Sequence, residues 1–198
     1  MITNNNKIHC SKVFLAISVF LFFSLNGCSR VAELRLSIHS NNSFVQLGTI
    51  SIKHKKPRVI TVMVIRHAER ANDALTVDGE KRAETLARLL SNQRVDAIFS
   101  TNFTRTIETV NNTAEQHGIT IQFYNLPQEV AGLIKSEYKG KIVLVVGHSP
   151  TVPQIIEALG VSSAPPIYDE FNNLFFVTIR HDGIASLVHL KYDIGLDL

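Results

Sequence analysis

The sequence has little net charge, few cysteines and no hydrophobic run long enough to be a confident membrane span. Its net charge is +3 and it has no basic arm with interleaved aromatic residues, so nucleic-acid binding gains little support. The apolar segment Val13 to Leu25 is shorter than the roughly 20 residues that a membrane-spanning helix needs. With 198 residues, 45% of them apolar, the chain has the size and composition of one globular domain.

The first 28 residues have the features of a targeting segment. A basic start that includes Lys7 and Lys12 precedes the apolar segment, which closes on Leu25-Asn26-Gly27-Cys28. This ending resembles the lipobox of bacterial lipoproteins, in which the cysteine becomes the acylated N-terminus. The resemblance predicts a signal peptide over residues 1–28, a lipid on Cys28, and a protein anchored to the membrane at the cell envelope and facing the periplasm. The alternatives are an uncleaved signal anchor and an ordinary secretory signal.

Cleavage at Cys28 would also remove Cys10, which is the only other cysteine. The remaining thiol would be committed to the lipid, so no disulfide could form even in an oxidising periplasm. We therefore expect the hydrophobic core alone to hold the fold together.

The pattern of the sequence changes near residue 58. Residues 29–57 are polar and mixed, which predicts a tether or short N-terminal strands around Leu34–Ile38 and Thr49–Ile52. From residue 58 to residue 198, short β-branched runs alternate with helical periodicities, which indicates one α/β domain whose sheet is covered on both faces. The predicted strands of this domain are Val59–Ile65, Ala97–Ser100, Ile119–Phe123, Ile142–Gly147, Leu174–Arg180 and Ala185–Leu190.

Four helices are predicted between these strands. The first and fourth strands are almost wholly apolar, which is typical of buried parallel strands flanked by helices. The predicted helices are Asp78–Leu90 with Thr76 as its N-cap, Asn102–Gln116 ended by Gly118, one from Pro127, and one from Thr151, where Thr151 and Gln154 form a capping box.

Three of the strands are followed directly by cationic or imidazole side chains. They precede Arg66-His67, the segment Ser100 to Arg105, and Gly147-His148-Ser149. Ligands collect at the carboxyl ends of strands in open α/β sheets, and a phosphoryl group needs several positive donors at one point. Arg66, Arg105 and His148 would supply those donors, and Arg105 would also lie in the first turn of a helix, where anions bind favourably.

His67 is the natural nucleophile of such a site, because a neutral imidazole nitrogen can attack phosphorus without first losing a strongly held proton. Taken singly, each of these residues could also be a solvated surface group. A zinc site is disfavoured, since the chain has no His-Glu-x-x-His or cysteine-rich spacing and arginine beside each ligand would repel a cation. The histidines outside these segments are read as surface residues, namely His39, His54, His117, His181 and His189.

The combined motifs resemble the histidine phosphatase superfamily over about residues 59 to 190. They are Arg66-His67-Ala68-Glu69, Leu75-Thr76 with Gly79, Arg82-Ala83, Leu86-Ala87, Ser100-Thr101 with Arg105-Thr106 and Thr109, and Val146-Gly147-His148-Ser149. The resemblance implies a phosphoglycerate mutase-like fold, which is a three-layer α/β/α arrangement with a mostly parallel central sheet. It also implies that His67 is phosphorylated, that Arg66, Arg105 and His148 form the phosphate pocket, and that no metal or cofactor is needed.

The chain departs from the family pattern at two places. Ala68 replaces the glycine that many members carry, a small change that should leave the loop intact. The glutamate that serves many members as proton donor is missing from the stretch Phe123 to Pro127. Glu69 is the first candidate for a replacement donor, and Asp73 and Glu129 are the other candidates. Each also has a purely structural interpretation, as a solvated loop charge or, for Glu129, as a charge at a helix N-terminus. A missing donor favours leaving groups that need little protonation.

These observations predict a metal-independent phosphatase for a small phosphorylated substrate at the cell envelope, such as a phosphorylated lipopolysaccharide sugar. The compact chain resembles the branch that includes protein phosphohistidine phosphatases. The alternative is an envelope lipoprotein that binds a phosphorylated ligand without turning it over. A phosphomutase is disfavoured, because the short chain has no obvious lid insertion to shield a phosphorylated enzyme from water.

Overall fold

The structure is a computed structural model that describes residues 16–23, 31–40, 43–53 and 58–194. The chain divides into two compact units, Met1–Lys56 and Pro57–Leu198. The described part of the first unit is an antiparallel three-stranded sheet in the order β1-β2-β3, with strands Ala16–Phe23, Val31–Ser40 and Ser43–Lys53. The two short strands expected from the sequence fall within β2 and β3, while β1 lies inside the predicted signal peptide. Cys28 lies outside the described residues, so its acylation stays a prediction.

The second unit alternates strands and helices along the chain. Its elements are β4 (Ile60–Arg66), β5 (Arg70–Ala71), β6 (Ala74–Leu75), α1 (Val77–Leu90), β7 (Ala97–Ser100), α2 (Thr104–His117), β8 (Ile121–Phe123), α3 (Pro127–Glu137), β9 (Ile142–Gly147), α4 (Thr151–Ala158), β10 (Asn173–Ile179) and β11 (Ala185–Lys191). All six predicted strands of the domain and all four predicted helices are present, with ends that differ by a few residues.

The central sheet has six strands in the order β11-β10-β4-β9-β7-β8. β4, β9, β7 and β8 are parallel to one another, whereas β10 runs antiparallel to both β4 and β11. The mostly parallel sheet predicted from the sequence is therefore confirmed. Arg66 pairs with Gly147 and Ser100 pairs with Val146, so the carboxyl ends of β4, β9 and β7 meet at one edge.

Alternate residues of β4 enter two separate cores, because successive side chains of a strand point to opposite faces. Val62 and Val64 pack in a core that includes residues of α3 and α4. Met63 and Ile65 pack in a second core with residues of α1 and α2. All four of these side chains are at most 1% exposed. Helices thus cover both faces of the sheet, which is the predicted three-layer α/β/α arrangement.

Two of the predicted helix ends are confirmed, and one predicted cap is wrong. Thr76 accepts a hydrogen bond from the Gly79 N–H at 3.2 Å, and Gly118 ends α2 with a left-handed backbone at φ 63°. Thr151 does not cap α4, which has Pro150 in the N-cap position and no side-chain cap bond. Thr151 lies one residue inside the helix, so its hydroxyl turns back and accepts the His148 N–H at 2.8 Å instead.

The part of the chain that the structure describes contains no helix that combines the length and the apolar character needed to cross a membrane.

Candidate active site

The carboxyl ends of β4, β7 and β9 carry the side chains that the sequence singled out. The His67 N–H extends the ladder by one residue and donates to the Gly147 carbonyl at 2.9 Å. The His67 and His148 rings are 5.5 Å apart between centroids, and the Arg105 Nη2 is 3.4 Å from the His148 Nδ1. The charges of Arg66 and Arg105 act on both imidazoles. The structure therefore brings the four predicted pocket residues together.

His67 is held as a neutral imidazole of defined orientation. Its side chain is buried, and its Nδ1 lies 2.8 Å from the Ala68 carbonyl oxygen. Because a carbonyl only accepts, Nδ1 carries the proton and Nε2 keeps its lone pair. Burial lowers the pKa of His67 to about 4, the Ala68 bond opposes this change, and the nearby cationic groups reinforce it. At neutral pH, Nε2 is therefore available as a nucleophile.

His148 has the opposite tautomer. The Arg105 guanidinium donates toward Nδ1, so Nε2–H donates to the Thr101 hydroxyl at 3.0 Å. The Thr101 hydroxyl in turn donates to Thr106 at 3.1 Å. Burial, followed by the charges of Arg105 and Arg66, lowers the pKa of His148 to about 4. The sequence interpretation counted His148 among the positive donors, whereas this low pKa makes its imidazole neutral at neutral pH and leaves the positive charge to the arginines. The place of His148 in a phosphate pocket stays a prediction.

Arg66 is anchored by a loop that the sequence interpretation missed. Its Nη1 donates to the carbonyl oxygens of Tyr168 at 2.9 Å and Glu170 at 3.4 Å, and its Cζ lies 4.1 Å from the centre of the Phe171 ring. These partners follow Arg66 by more than 100 residues, in the loop before β10. No periodicity marks this loop, so the sequence offered no signal for it.

Arg105 lies in the first turn of α2 beside an acidic partner. Its Nη1 pairs with Asp73, whose other carboxylate oxygen accepts the Thr104 N–H at 3.2 Å. Desolvation alone would raise the pKa of Asp73, but the hydrogen bonds from Thr104 and Arg105 outweigh it and lower that pKa. The Arg105 Cζ also lies 4.3 Å from the centre of the Phe103 ring. The Asp73 carboxylate thus accepts from the Thr104 N–H and the Arg105 guanidinium, which are donors of the kind that bind a phosphate.

Each of the two pocket arginines has a buried donor without a partner in the described part of the chain. Among the described residues, the Nε atoms of Arg66 and Arg105 are buried and have no hydrogen-bond partner. Buried polar groups are normally satisfied, so unpaired guanidinium donors beside the two imidazoles require an explanation. An anionic oxygen would be the strongest partner for either donor.

The Glu69 carboxylate is paired with Arg82 and is poorly suited to donate a proton. Its carboxylate accepts from the Arg82 Nε at 2.8 Å and from Nη2 at 2.6 Å, while the Arg82 Nη1 donates to the Tyr192 carbonyl at 2.9 Å. Burial would raise the pKa of Glu69, but the pairing with Arg82 lowers it, so the carboxylate stays ionised at neutral pH. These contacts argue against the prediction that Glu69 is the proton donor. Glu129 is exposed in the first turn of α3, as its interpretation as a helix-dipole residue expects.

Ala68 fits the loop without distortion. Its side chain is fully buried, and its N–H donates to the Thr109 hydroxyl at 2.9 Å. That hydroxyl donates to the Arg105 carbonyl, which links the loop after β4 to α2. The expectation that alanine leaves this loop intact agrees with these contacts.

The remaining histidines are not part of the pocket contacts described above. His181 and His189 are exposed, and His189 stacks on Phe175 with ring centroids 4.4 Å apart. His117 differs from the prediction of a surface residue, because it is half-buried and its Nε2 is buried without a partner among the described residues. The side chains of His39 and His54 lie outside the described part.

Within the described ranges, no group of three or more histidine, cysteine, aspartate or glutamate side chains is arranged to hold a metal ion.

Comparisons with known proteins agree with this geometry. Residues 62–131 match the model of the histidine phosphatase superfamily, branch 1. A search of curated protein sequences finds no match.

Several solved structures share the fold. The protein histidine phosphatase SixA, solved with tungstate, is 20% identical, with 66% of this chain and 96% of that chain covered and a TM-score of 0.55. A mycobacterial glucosyl-3-phosphoglycerate phosphatase is 12% identical, with 70% and 100% covered and a TM-score of 0.56. The phosphoglycerate mutase of Bacillus anthracis is 17% identical, with 68% and 93% covered and a TM-score of 0.52. Residues 62–131 are therefore similar in sequence to the histidine phosphatase superfamily, and they lie within a domain that has the phosphoglycerate mutase-like fold.

Proposed function

We propose that the protein is a phosphatase that transfers the phosphoryl group of a small phosphorylated substrate to Nε2 of His67 and then to water. The observation that carries the proposal is the bond from Nδ1–H of His67 to the Ala68 carbonyl, which leaves Nε2 with its lone pair. The low pKa of this imidazole keeps that lone pair free at neutral pH. A nucleophile prepared in this way has no use in a site that only binds an anion.

The reaction has two steps. In the first, the Nε2 lone pair of His67 forms a bond to phosphorus, and the bond from phosphorus to the leaving oxygen breaks with its electron pair on that oxygen. In the second, a water oxygen attacks phosphorus, loses a proton, and releases inorganic phosphate from Nε2. Arg66 and Arg105 would balance the charge of the phosphoryl oxygens in both steps, partly through their unpaired Nε–H groups. Because these fixed cations supply the charge, we expect activity to survive treatment with a metal chelator.

Labelled substrate tests the covalent step. Enzyme quenched after mixing with a ³²P-labelled phosphomonoester should carry acid-labile label on His67, and His67→Ala should lose both the label and turnover. His181→Ala is the matched control, because His181 is exposed in the turn after β10, at the opposite end of the sheet. Wild-type turnover in His67→Ala would contradict the mechanism.

The two alternatives give different results in the same set of assays. A binding protein would bind inorganic phosphate in calorimetry and show neither label nor turnover on a broad panel of phosphoesters. A phosphomutase would exchange phosphate between glycerate isomers faster than it releases phosphate to water.

We further propose that the enzyme acts at the cell envelope, held by a lipid on Cys28. The support is the sequence of the first 28 residues, with its basic start, apolar segment and lipobox-like ending. Mass spectrometry of the membrane fraction should find an acylated N-terminal Cys28, and Cys28→Ser should abolish the acylation. Cleavage there would remove β1 from the mature chain, so an intact Met1 on the membrane-bound protein would contradict the proposal.

A further inference from the structure

Four aromatic rings follow one another across the candidate active site. The Phe171 ring lies 5.8 Å from the His67 ring, the His67 ring 5.5 Å from the His148 ring, and the His148 ring 5.2 Å from the Phe103 ring. The two imidazoles occupy the middle of this series, and the two phenylalanines flank them. The nucleophile thus lies between aromatic side chains that the phosphoryl chemistry itself does not require.

Each phenylalanine packs against one pocket arginine. Phe171 lies against Arg66 at 4.1 Å, and Phe103 lies against Arg105 at 4.3 Å. These contacts cover one side of each ring, yet Phe103 remains 46% exposed and Phe171 is only half-buried. Tyr168, on the same loop as Phe171, is 69% exposed. Apolar ring surface is therefore open to solvent on both sides of a cationic pocket, where it would suit the apolar part of a ligand.

Three carboxylates near the pocket are poorly suited to protonate a leaving group. Asp73 is paired with Arg105, Glu69 is paired with Arg82, and Glu170 accepts the Tyr168 N–H at 3.1 Å. These contacts hold the pKa of each carboxyl below its usual range, so all three are ionised at neutral pH. A substrate whose leaving oxygen is stable as an anion needs no such donor, and a phenol meets that condition far better than an alcohol.

We propose that the substrate class is the aryl phosphates, in which the phosphoryl group is carried directly on an aromatic ring that packs against Phe103 and Phe171. This inference rests on the proposed function, because it names the substrate of the same site. In the first step the bond between phosphorus and the phenolic oxygen breaks, and the phenolate leaves with the electron pair and later takes a proton from water.

A comparison of two acyl phosphates tests whether the enzyme recognises the aromatic ring of its substrate, separately from the leaving group. Benzoyl phosphate and acetyl phosphate release carboxylates of similar acidity, but only the first carries a ring. We expect the wild-type enzyme to have the higher kcat/KM for benzoyl phosphate. Phe103→Leu and Phe171→Leu should each lower the ratio of the two kcat/KM values by about three- to tenfold, mainly through KM.

Phe176→Leu is the matched control, because Phe176 lies in the middle of β10, opposite Met63, and packs partly buried against the second core, away from the carboxyl ends of the parallel strands. It should leave the ratio unchanged. An equal loss on both acyl phosphates in the two site variants would mean that the rings only brace the arginines, and an unchanged ratio would mean that they do not touch the substrate. Either result would overturn the proposal.

A second comparison tests the leaving group. Phenyl phosphate should exceed glycerol phosphate in kcat/KM by about a hundredfold or more, because no protonated acid assists the alkoxide. Equal rates would overturn the inference. Acid-labile label on His67 from acetyl phosphate reports separately on the proposed function, so label without ring preference would reject only the aryl substrate class.

Discussion

Two arginine–carboxylate pairs hold the segment that connects β4 to α1, and they differ in exposure. In the Glu69–Arg82 pair the side chains are 23% and 8% exposed, and in the Asp73–Arg105 pair they are 51% and 16% exposed. Both carboxylates lie within seven residues of His67, and both arginines come from helices on the same face of the sheet. The less exposed Glu69–Arg82 pair holds the loop after β4 in place, and the more exposed Asp73–Arg105 pair lies at the border of the candidate site.

The difference has a physical origin in solvation. Removing one partner of a largely buried pair leaves a charge that is only partly hydrated, whereas an exposed partner is resolvated at little cost. The first pair also connects to the C-terminal part of the domain through the bond from Arg82 to Tyr192. The second pair uses the Thr104 N–H and the Arg105 guanidinium, which are donors that an anionic ligand can take over. We therefore expect an anionic ligand to compete with Asp73 for its donors, and not with Glu69.

The largest effect is expected from breaking the buried pair. Arg82→Ala leaves the Glu69 carboxylate without its partner, so the free energy of unfolding should fall by about 3 to 5 kcal/mol. Urea denaturation measures the loss. Arg180→Ala is the control, since Arg180 pairs with Asp182 on the surface and should cost much less. If the two variants lost similar amounts of unfolding free energy, burial would not explain why one pair matters more than the other.

A second change tests the backbone around Glu69. A Cβ at Gly79 would lie 2.1 Å from the Glu69 carbonyl oxygen, so Gly79→Ala should destabilise the domain by about 1 to 3 kcal/mol. Gly132→Ala is the matched control within α3, where a Cβ meets nothing within 4 Å. That control should stabilise the fold by about 0.5 to 1 kcal/mol, because alanine is the better helix former. Thermal denaturation of both variants should show shifts of opposite sign.

The pH dependence of stability tests the other side of this comparison, where the imidazoles of His67 and His148 lie. Each has a pKa of about 4 in the folded protein and an ordinary value of about 6.5 when unfolded, so the unfolded chain binds more protons between these values. The free energy of unfolding should therefore fall as pH drops from 7.5 to 5, by roughly 2 to 4 kcal/mol. His67→Gln should show a shallower decline, and an equally steep one would exclude His67 as a cause.

The smallest effect is expected at Asp73. Asp73→Asn removes the negative charge that competes for the Arg105 guanidinium, so inorganic phosphate should inhibit the enzyme more strongly, with a Ki lower by roughly threefold. The gain should shrink as salt concentration rises, since the pair is exposed to solvent. Weaker inhibition in the variant would show instead that Asp73 orients Arg105 for the ligand.

Local sequence patterns predicted the layers of the fold and the positions of the four pocket residues. The apolar run that ends at Arg66, the Thr76 cap and the Gly118 ending each depend on neighbours within a few residues, which sequence periodicity reports well. The contact of Arg66 with Phe171 depends on chain closure over more than 100 residues, and no local pattern encodes it. Phe103 lies closer to a predicted feature, because it precedes α2, the helix whose first turn was predicted to favour an anion.

The contacts of Thr151 and Glu69 were both missed from the sequence, for one reason. Thr151 was predicted to cap α4 from its spacing and Glu69 was a candidate donor from its position after His67, but each side chain bonds to a partner that neither spacing nor position indicates. The Thr151 hydroxyl bonds to the His148 N–H, and the Glu69 carboxylate bonds to Arg82 from the next helix. Polar side chains near a site have several partners in reach, and the choice among them is made by tertiary packing rather than by spacing.

The pairing of Arg66 with Gly147 places His67 and His148 at equivalent positions of adjacent parallel strands. The separation of the two imidazoles is therefore set by the spacing between neighbouring strands, about 4.8 Å, rather than by any loop. We therefore expect insertions or deletions in the surrounding loops to reshape the entrance of the pocket without moving the two imidazoles. In proteins with this sheet, the loops around the pocket can then diverge while the distance between these two positions stays the same.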